Sequence, residues 1–268
     1  MGDHRSKGLG LCGVVSGQTE QLVGVVRVIR KATPFAAVIL GATATLTPGA
    51  SASAEAVPIS KAQATSYARE VNLTAADFPG SNVSRAEHEA KPPSKAAKEF
   101  ARCAGGVAPG RRLVDIDSAT LGIGTPSSPA QVSSSVEVMP TAALAAQDFA
   151  AVRSRRGRAC LARRVPQLVE GVANSEGRFG RTTVSILPSL LGAGRQSFGV
   201  RVSTTFTAKS PTGREKLTPV FIDVFGILAG PGEISMGALG LVHPVATATE
   251  RQLLSVLYVR AQAHELQR

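Results

Sequence analysis

Leu217-Thr-Pro-Val-Phe-Ile-Asp-Val-Phe-Gly-Ile-Leu-Ala229, then Gly230-Pro-Gly232, then Glu233-Ile-Ser-Met-Gly-Ala-Leu-Gly-Leu-Val242 are two apolar runs separated by a glycine–proline turn. Short runs rich in Val, Ile, Leu and Phe and bounded by Gly and Pro read as strands, and so brief a connection makes them a hairpin. Two more strands are expected upstream, at about 181–188 and 198–208, with Gly192, Gly194 and Pro211-Thr-Gly213 as punctuation. Everything after Gly180 therefore reads as sheet until a closing helix at about 247–263, with Leu253, Leu254 and Leu257 facing inward.

Before Gly180 the pattern is mixed. A helix is expected at about 60–71, a turn at Asp77-Phe78-Pro79-Gly80 and a linker at Lys91-Pro92-Pro93. Ser94 reads as the cap of a helix that reaches Cys103 and stops at Gly105-Gly106. Arg111 to Asp117 alternates as a strand. Gln131 to Met139 alternates better, with Val132, Ser134, Val136 and Val138 on one face and Ser133, Ser135, Glu137 and Met139 on the other. Thr141 caps a helix in which Ala145, Phe149 and Val152 recur at inward spacing, and a further helical piece spans about 158–170. Helices and strands are not strictly alternated. The order predicts an α+β fold, an antiparallel sheet with helices packed on it as an α/β sandwich.

The chain of 268 residues opens with a different signal. Arg27, Arg30 and Lys31 precede the apolar run Phe35-Ala-Ala-Val-Ile-Leu-Gly-Ala-Thr-Ala-Thr-Leu46, and Ala52-Ser-Ala54 follows. A basic flank, a short apolar stretch and an A-x-A site in that order define a secretory signal. The apolar run is shorter than the ~20 residues a bilayer span needs, and no later stretch qualifies. The expected organisation is a secretory signal region over 1–54 cut after Ala54, with Ala52 and Ala54 at the cleavage positions. An N-terminal arm and linker follow over 55–93, then one domain over 94–268, placing the mature chain outside the cytoplasm in or near the cell envelope.

Beyond the signal region only Cys103 and Cys160 remain, and two cysteines in an exported chain are expected to form a disulfide. Two cysteines with no second pair and no spaced histidines do not make a zinc site, so no metal or cofactor is expected. The chain is basic, with a net charge of +11. Its Arg155, Arg156, Arg158, Arg163 and Arg164 cluster contains no aromatic residue on which bases would stack, so nucleic acid is not an expected partner. Asp115 and Asp117 share a strand face at ~7 Å, a spacing open to acid–base work and equally to a solvated face. His243 is expected at the end of the last strand, and His88 and His264 in solvent. Asp223, inside an apolar run, is expected to pair with Arg201 on the neighbouring strand. Gly8-Leu-Gly10-Leu-Cys12-Gly13 matches a dinucleotide fingerprint in letters but lacks the preceding strand, and no nucleophile-elbow, zincin or P-loop motif occurs in the mature chain.

From Phe100 onward the layout is familiar. Phe100-Ala-Arg-Cys103, Gln131-Val-Ser-Ser-Ser-Val-Glu-Val-Met-Pro140, Thr141-Ala-Ala-Leu-Ala-Ala-Gln-Asp-Phe149, Arg158-Ala-Cys160, Phe221-Ile-Asp-Val-Phe-Gly226, Gly232-Glu-Ile234 and Glu250-Arg-Gln-Leu-Leu254 follow one another in that order. This order resembles the actinobacterial exported sensor-like domains, including the extracellular sensor domain of mycobacterial Ser/Thr kinases and related secreted lipoproteins. The resemblance implies an α+β sandwich that takes a ligand in a cleft. This chain departs from the kinase sensors in having one cysteine pair rather than two and no Trp near Cys160. The expected function is a secreted, non-catalytic domain for a small or envelope-derived ligand. The alternative is a secreted hydrolase using Asp115, Asp117 or His243.

Overall fold

The computed structural model describes residues 58–89, 95–125, 127–160, 163, 177–191, 197–209, 214–264 and 266. The signal region with Ala52 and Ala54, the linker at 91–93, the cap at Ser94 and the turn at 211–213 lie outside those residues. In chain order the elements are α1 (Lys61–Val71), β1 (Asn82–Arg85), β2 (His88–Glu89), α2 (Lys95–Ala104), β3 (Val114–Asp117), β4 (Thr120–Gly122), β5 (Ala130–Val138), α3 (Ala142–Arg153), β6 (Gly177–Phe179), β7 (Thr183–Leu187), β8 (Ser197–Lys209), β9 (Glu215–Ala229), β10 (Gly232–Leu241) and α4 (Thr247–Ala263). Residues 155–160 are also helical.

The strands form one antiparallel sheet whose main path runs β1-β4-β5-β10-β9-β8-β6. Both ends are built from broken strands. On one side β3 and β4 share the edge of β5; on the other β6 and β7 share the edge of β8. The β9–β10 hairpin turns through Gly230 at φ +55, a left-handed value that glycine adopts without a Cβ penalty. The strand expected through Val242 stops at Leu241, because Val242 itself takes φ +73 and leaves the sheet.

Each face of the sheet carries its own helices. On the first, Ala64, Tyr67, Ala68 and Val71 of α1 and Leu253, Leu254, Leu257 and Ala261 of α4 pack on Val132, Val136, Ile227, Ile234 and Met236. On the second, Phe100 and Ala104 of α2, Val152 of α3 and Cys160 pack on Val200, Val202, Val220, Ile222 and Val224. The fold is thus α+β, with one disulfide joining Cys103 and Cys160 across Cα atoms 6.0 Å apart.

Local chemistry explains the helix starts and stops. Ser60 and Gln63 form a reciprocal capping box at the head of α1. The Thr141 hydroxyl accepts from the Leu144 N–H at the head of α3. Gly105, at φ +91, terminates α2. The segment 55–93, read from sequence as an arm and linker, contributes α1, β1 and β2, and α1 is part of the core. Its buried positions recur at i, i+3, i+4 and i+7, which is the stripe of a packed helix.

Candidate functional site

The second face of the sheet is apolar under α2 but polar under α3. Antiparallel register sets Asp115 of β3 opposite Glu137 of β5, and Glu137 opposite Glu233 of β10, three acids side by side across three strands. Like charges directly opposite one another destabilise a sheet unless something offsets them. Arg112, just before β3, supplies the offset: its Nη1 lies 2.7 Å from Glu137 Oε1 and 3.4 Å from Asp115 Oδ2. The Ser135 hydroxyl donates to Asp115 Oδ1 at 3.2 Å. Helix α3 lowers a fourth acid, Asp148, onto the same group, where its Oδ1 accepts from the Val107 N–H at 2.9 Å.

One guanidinium thus contacts two carboxyls, Glu137 and Asp115, and lies near two more, Asp148 and Glu233. Burial pushes the Asp148 carboxyl up to about 11, Glu233 and Glu137 adding to the rise against the pull of Arg112. Burial likewise raises Glu233 to about 8 and lifts Glu137 well above its ordinary range, Arg112 opposing both. Desolvation draws Arg112 down, but Glu137 and Asp115, with Asp148 and Glu233, outweigh it and hold the guanidinium charged. One oxygen each of Glu137, Asp148 and Glu233 lies within 4.8 Å of the other two.

A second buried polar group sits on the first face. Arg201 of β8 and Asp223 of β9 are register partners joined by two charge-assisted hydrogen bonds of 2.7 and 2.6 Å. Glu250, from the first turn of α4, completes the group. Burial, the hydrogen bond to Asp223 and the Asp223 charge push it up to about 9, with Arg201 opposing. Held neutral, Glu250 leaves a triad of one cation, one anion and one acid without net charge.

The same helix that carries Asp148 also borders an open groove of about 480 Å³. Its walls are Val152 and Arg153 at the end of α3, Arg158 beyond it, Ile186 and Leu187 of β7, and Phe198 at the start of β8. The Ser189 and Ser197 hydroxyls, 2.7 Å apart, supply a polar pair on the same lining. Phe198 is held by Phe149, with ring centroids 5.4 Å apart, and the Arg153 guanidinium lies 5.8 Å from the Phe149 ring centre. Among the described residues the lining has two arginines and no carboxylate.

The other residues singled out from sequence are dispersed. Asp117 pairs with His88, whose Nε2 is 3.5 Å from Asp117 Oδ2, so His88 is not simply solvated. His264 Nδ1 stands 2.9 Å from Glu70 Oε2. His243 lies past the end of β10 rather than on it, exposed, its backbone against Gly240. Gly240 faces Ala130 and Asp117 faces Ser135, positions about 17 Å apart along β5, so His243 does not join the two aspartates. Within the arginine cluster, Arg156 and Arg158 serve helix ends. Arg156 donates to the Cys103 carbonyl at 2.7 Å and Arg158 to the Arg153 carbonyl at 2.7 Å, while Arg163 lies 3.6 Å from both disulfide sulfurs.

Glu233, Asp148 and Glu250 escape a reading of the sequence. Each sits at an ordinary polar position of its element, and only the register or the helix laid over it buries it.

Among the described residues no helix is long and apolar enough to cross a membrane. No family model matches the chain, and neither does any curated protein. Among solved structures, the extracellular domain of PknH from Mycobacterium tuberculosis is similar over 76% of this chain and 98% of that one, at 11% identity and a TM-score of 0.35. A likeness of that size carries no argument about function, which rests on the geometry above.

Proposed function

We propose that the chain works outside the cytoplasm as a non-catalytic binding domain whose ligand is a small, envelope-derived amphiphile with an anionic head. The groove beside α3 carries this reading. Its volume is about 480 Å³, within the range of small-molecule sites. Apolar side chains from Val152, Ile186, Leu187 and Phe198 suit an acyl or other apolar body, and Arg153 and Arg158 suit a phosphate or carboxylate at its end. The Cys103–Cys160 bond supports the location, since such bonds persist in oxidising compartments. The leader over 1–54 supplies the route. Against a hydrolase stands the engagement of Asp115 with Arg112 and Ser135, of Asp117 with His88, and the separation of His243 from both.

The experiment is a thermal-shift comparison of dodecanoate and lysophosphatidylglycerol with dodecyl maltoside, each below its micelle concentration. The anionic amphiphiles raise the melting temperature, because a ligand selective for the folded state stabilises it. The rise is lost in the Arg153→Ala, Arg158→Ala double variant. Equal shifts with all three probes, or none with any, contradict the reading.

A further inference from the structure

Three carboxylates meet beneath α3 from three separate elements: Glu137 of β5, Glu233 of β10 and Asp148 of α3. Acids gathered on a surface mean little, but here Asp148 is buried and the group is partly unsatisfied. Asp148 is wholly buried, and the Val107 N–H occupies only its Oδ1. Its Oδ2 has no hydrogen-bond partner, and neither has the buried Oε1 of Glu233. Buried acceptors left without a donor are costly, and such atoms in a folded protein call for an explanation. Arg112 does not provide it, since its close contacts go to Glu137 and Asp115.

We infer that Glu137, Asp148 and Glu233 form a binding site for a single calcium ion. The donors are all carboxylate oxygens, with no His or Cys among them, the ligand set of a hard cation. Oxygens within 4.8 Å of one another can share one ion. Calcium accepts such all-protein carboxylate sets in flexible geometry, whereas magnesium dehydrates reluctantly and keeps several of its waters. A divalent ion added to Arg112 brings three positive charges to four carboxylates, Asp115 included. It also gives the orphaned oxygens of Asp148 and Glu233 a partner. The ion ties β5 and β10 to α3, the helix that ends in the groove. The site stands whether or not that groove takes an amphiphile.

The test titrates CaCl2, and MgCl2 for comparison, into EDTA-treated protein, followed by melting temperature and native mass spectrometry. Calcium raises the melting temperature by about 5–10 °C at a hundredfold excess over its Kd, reversibly with EDTA. One calcium per chain appears in the native spectrum, and magnesium acts more weakly. Asp148→Asn and Glu233→Gln preserve shape and weaken calcium binding by about tenfold or more, while Glu215→Gln, at an exposed carboxylate, does not. Absence of both the thermal shift and the calcium adduct overturns the inference. An undiminished response in both cluster variants overturns it as well. Should those variants fail to fold, the titration of the native protein still decides.

Discussion

A carboxyl held above its ordinary range keeps its proton in the folded chain and releases it in the unfolded one, so its proton uptake links folding to pH. Glu250 is such a group, raised to about 9 by burial, the hydrogen bond to Asp223 and the Asp223 charge. Its contribution to stability is fully present below the ordinary glutamate range. It falls as pH rises, because the unfolded chain ionises while the folded chain holds the proton, and it is lost by about pH 9. Glu250→Gln removes this titration and keeps the hydrogen-bond donor to Asp223. Denaturant unfolding at pH 5 and pH 8 therefore gives a larger loss of stability with rising pH for the native chain than for the variant. Parallel pH profiles contradict the protonated triad. Asp223 stands out in the sequence because it interrupts an apolar run, and Arg201 is the basic residue that register brings to it. Glu250 and Asp148 do not stand out. A single acid in a helix rich in alanine or leucine reads as solvent-facing until the sheet beneath it is known.

At the scale of elements, the long alternating strands and capped helices were legible. β5 and β8–β10 match their expected ranges within a few residues, and α4 matches from Thr247 to Ala263. Local chemistry decides such segments, through branched side chains, a glycine turn and a threonine cap. β1, β2, β4 and β6 span two to four residues, too few for a period to show, and exist because a neighbouring edge pairs with them. The disulfide joins two such locally readable pieces, α2 and the helical residues 155–160, over a separation of 57 residues. Closing that loop restricts the unfolded chain by about 4 kcal/mol in the chain-entropy account. Replacing both Cys103 and Cys160 with serine is expected to lower the unfolding free energy by about 2–5 kcal/mol, measured by denaturant titration. A loss below about 1 kcal/mol means that packing of α2, not the cross-link, holds this side of the sheet.

For the whole molecule, the α+β plan follows from the order of elements, whereas the place of α1 does not. Pro- and Gly-containing sequence after α1 reads as a linker, yet α1 packs on the first face beside α4 and completes that core. The polar half of the second face was equally hard to read. Ser133, Ser135 and Glu137 look like a solvated strand face, and all three are buried, Glu137 beneath α3. Burial of polar groups depends on layers, which no single strand encodes. Export of the domain closed by this disulfide is a proposal, and intact mass of the protein recovered from culture supernatant tests it most directly. It predicts a chain beginning at Glu55 that takes no alkyl group before reduction and two after it. A cell-associated chain that retains residues 1–54, alkylated at Cys103 and Cys160 without reduction, contradicts it.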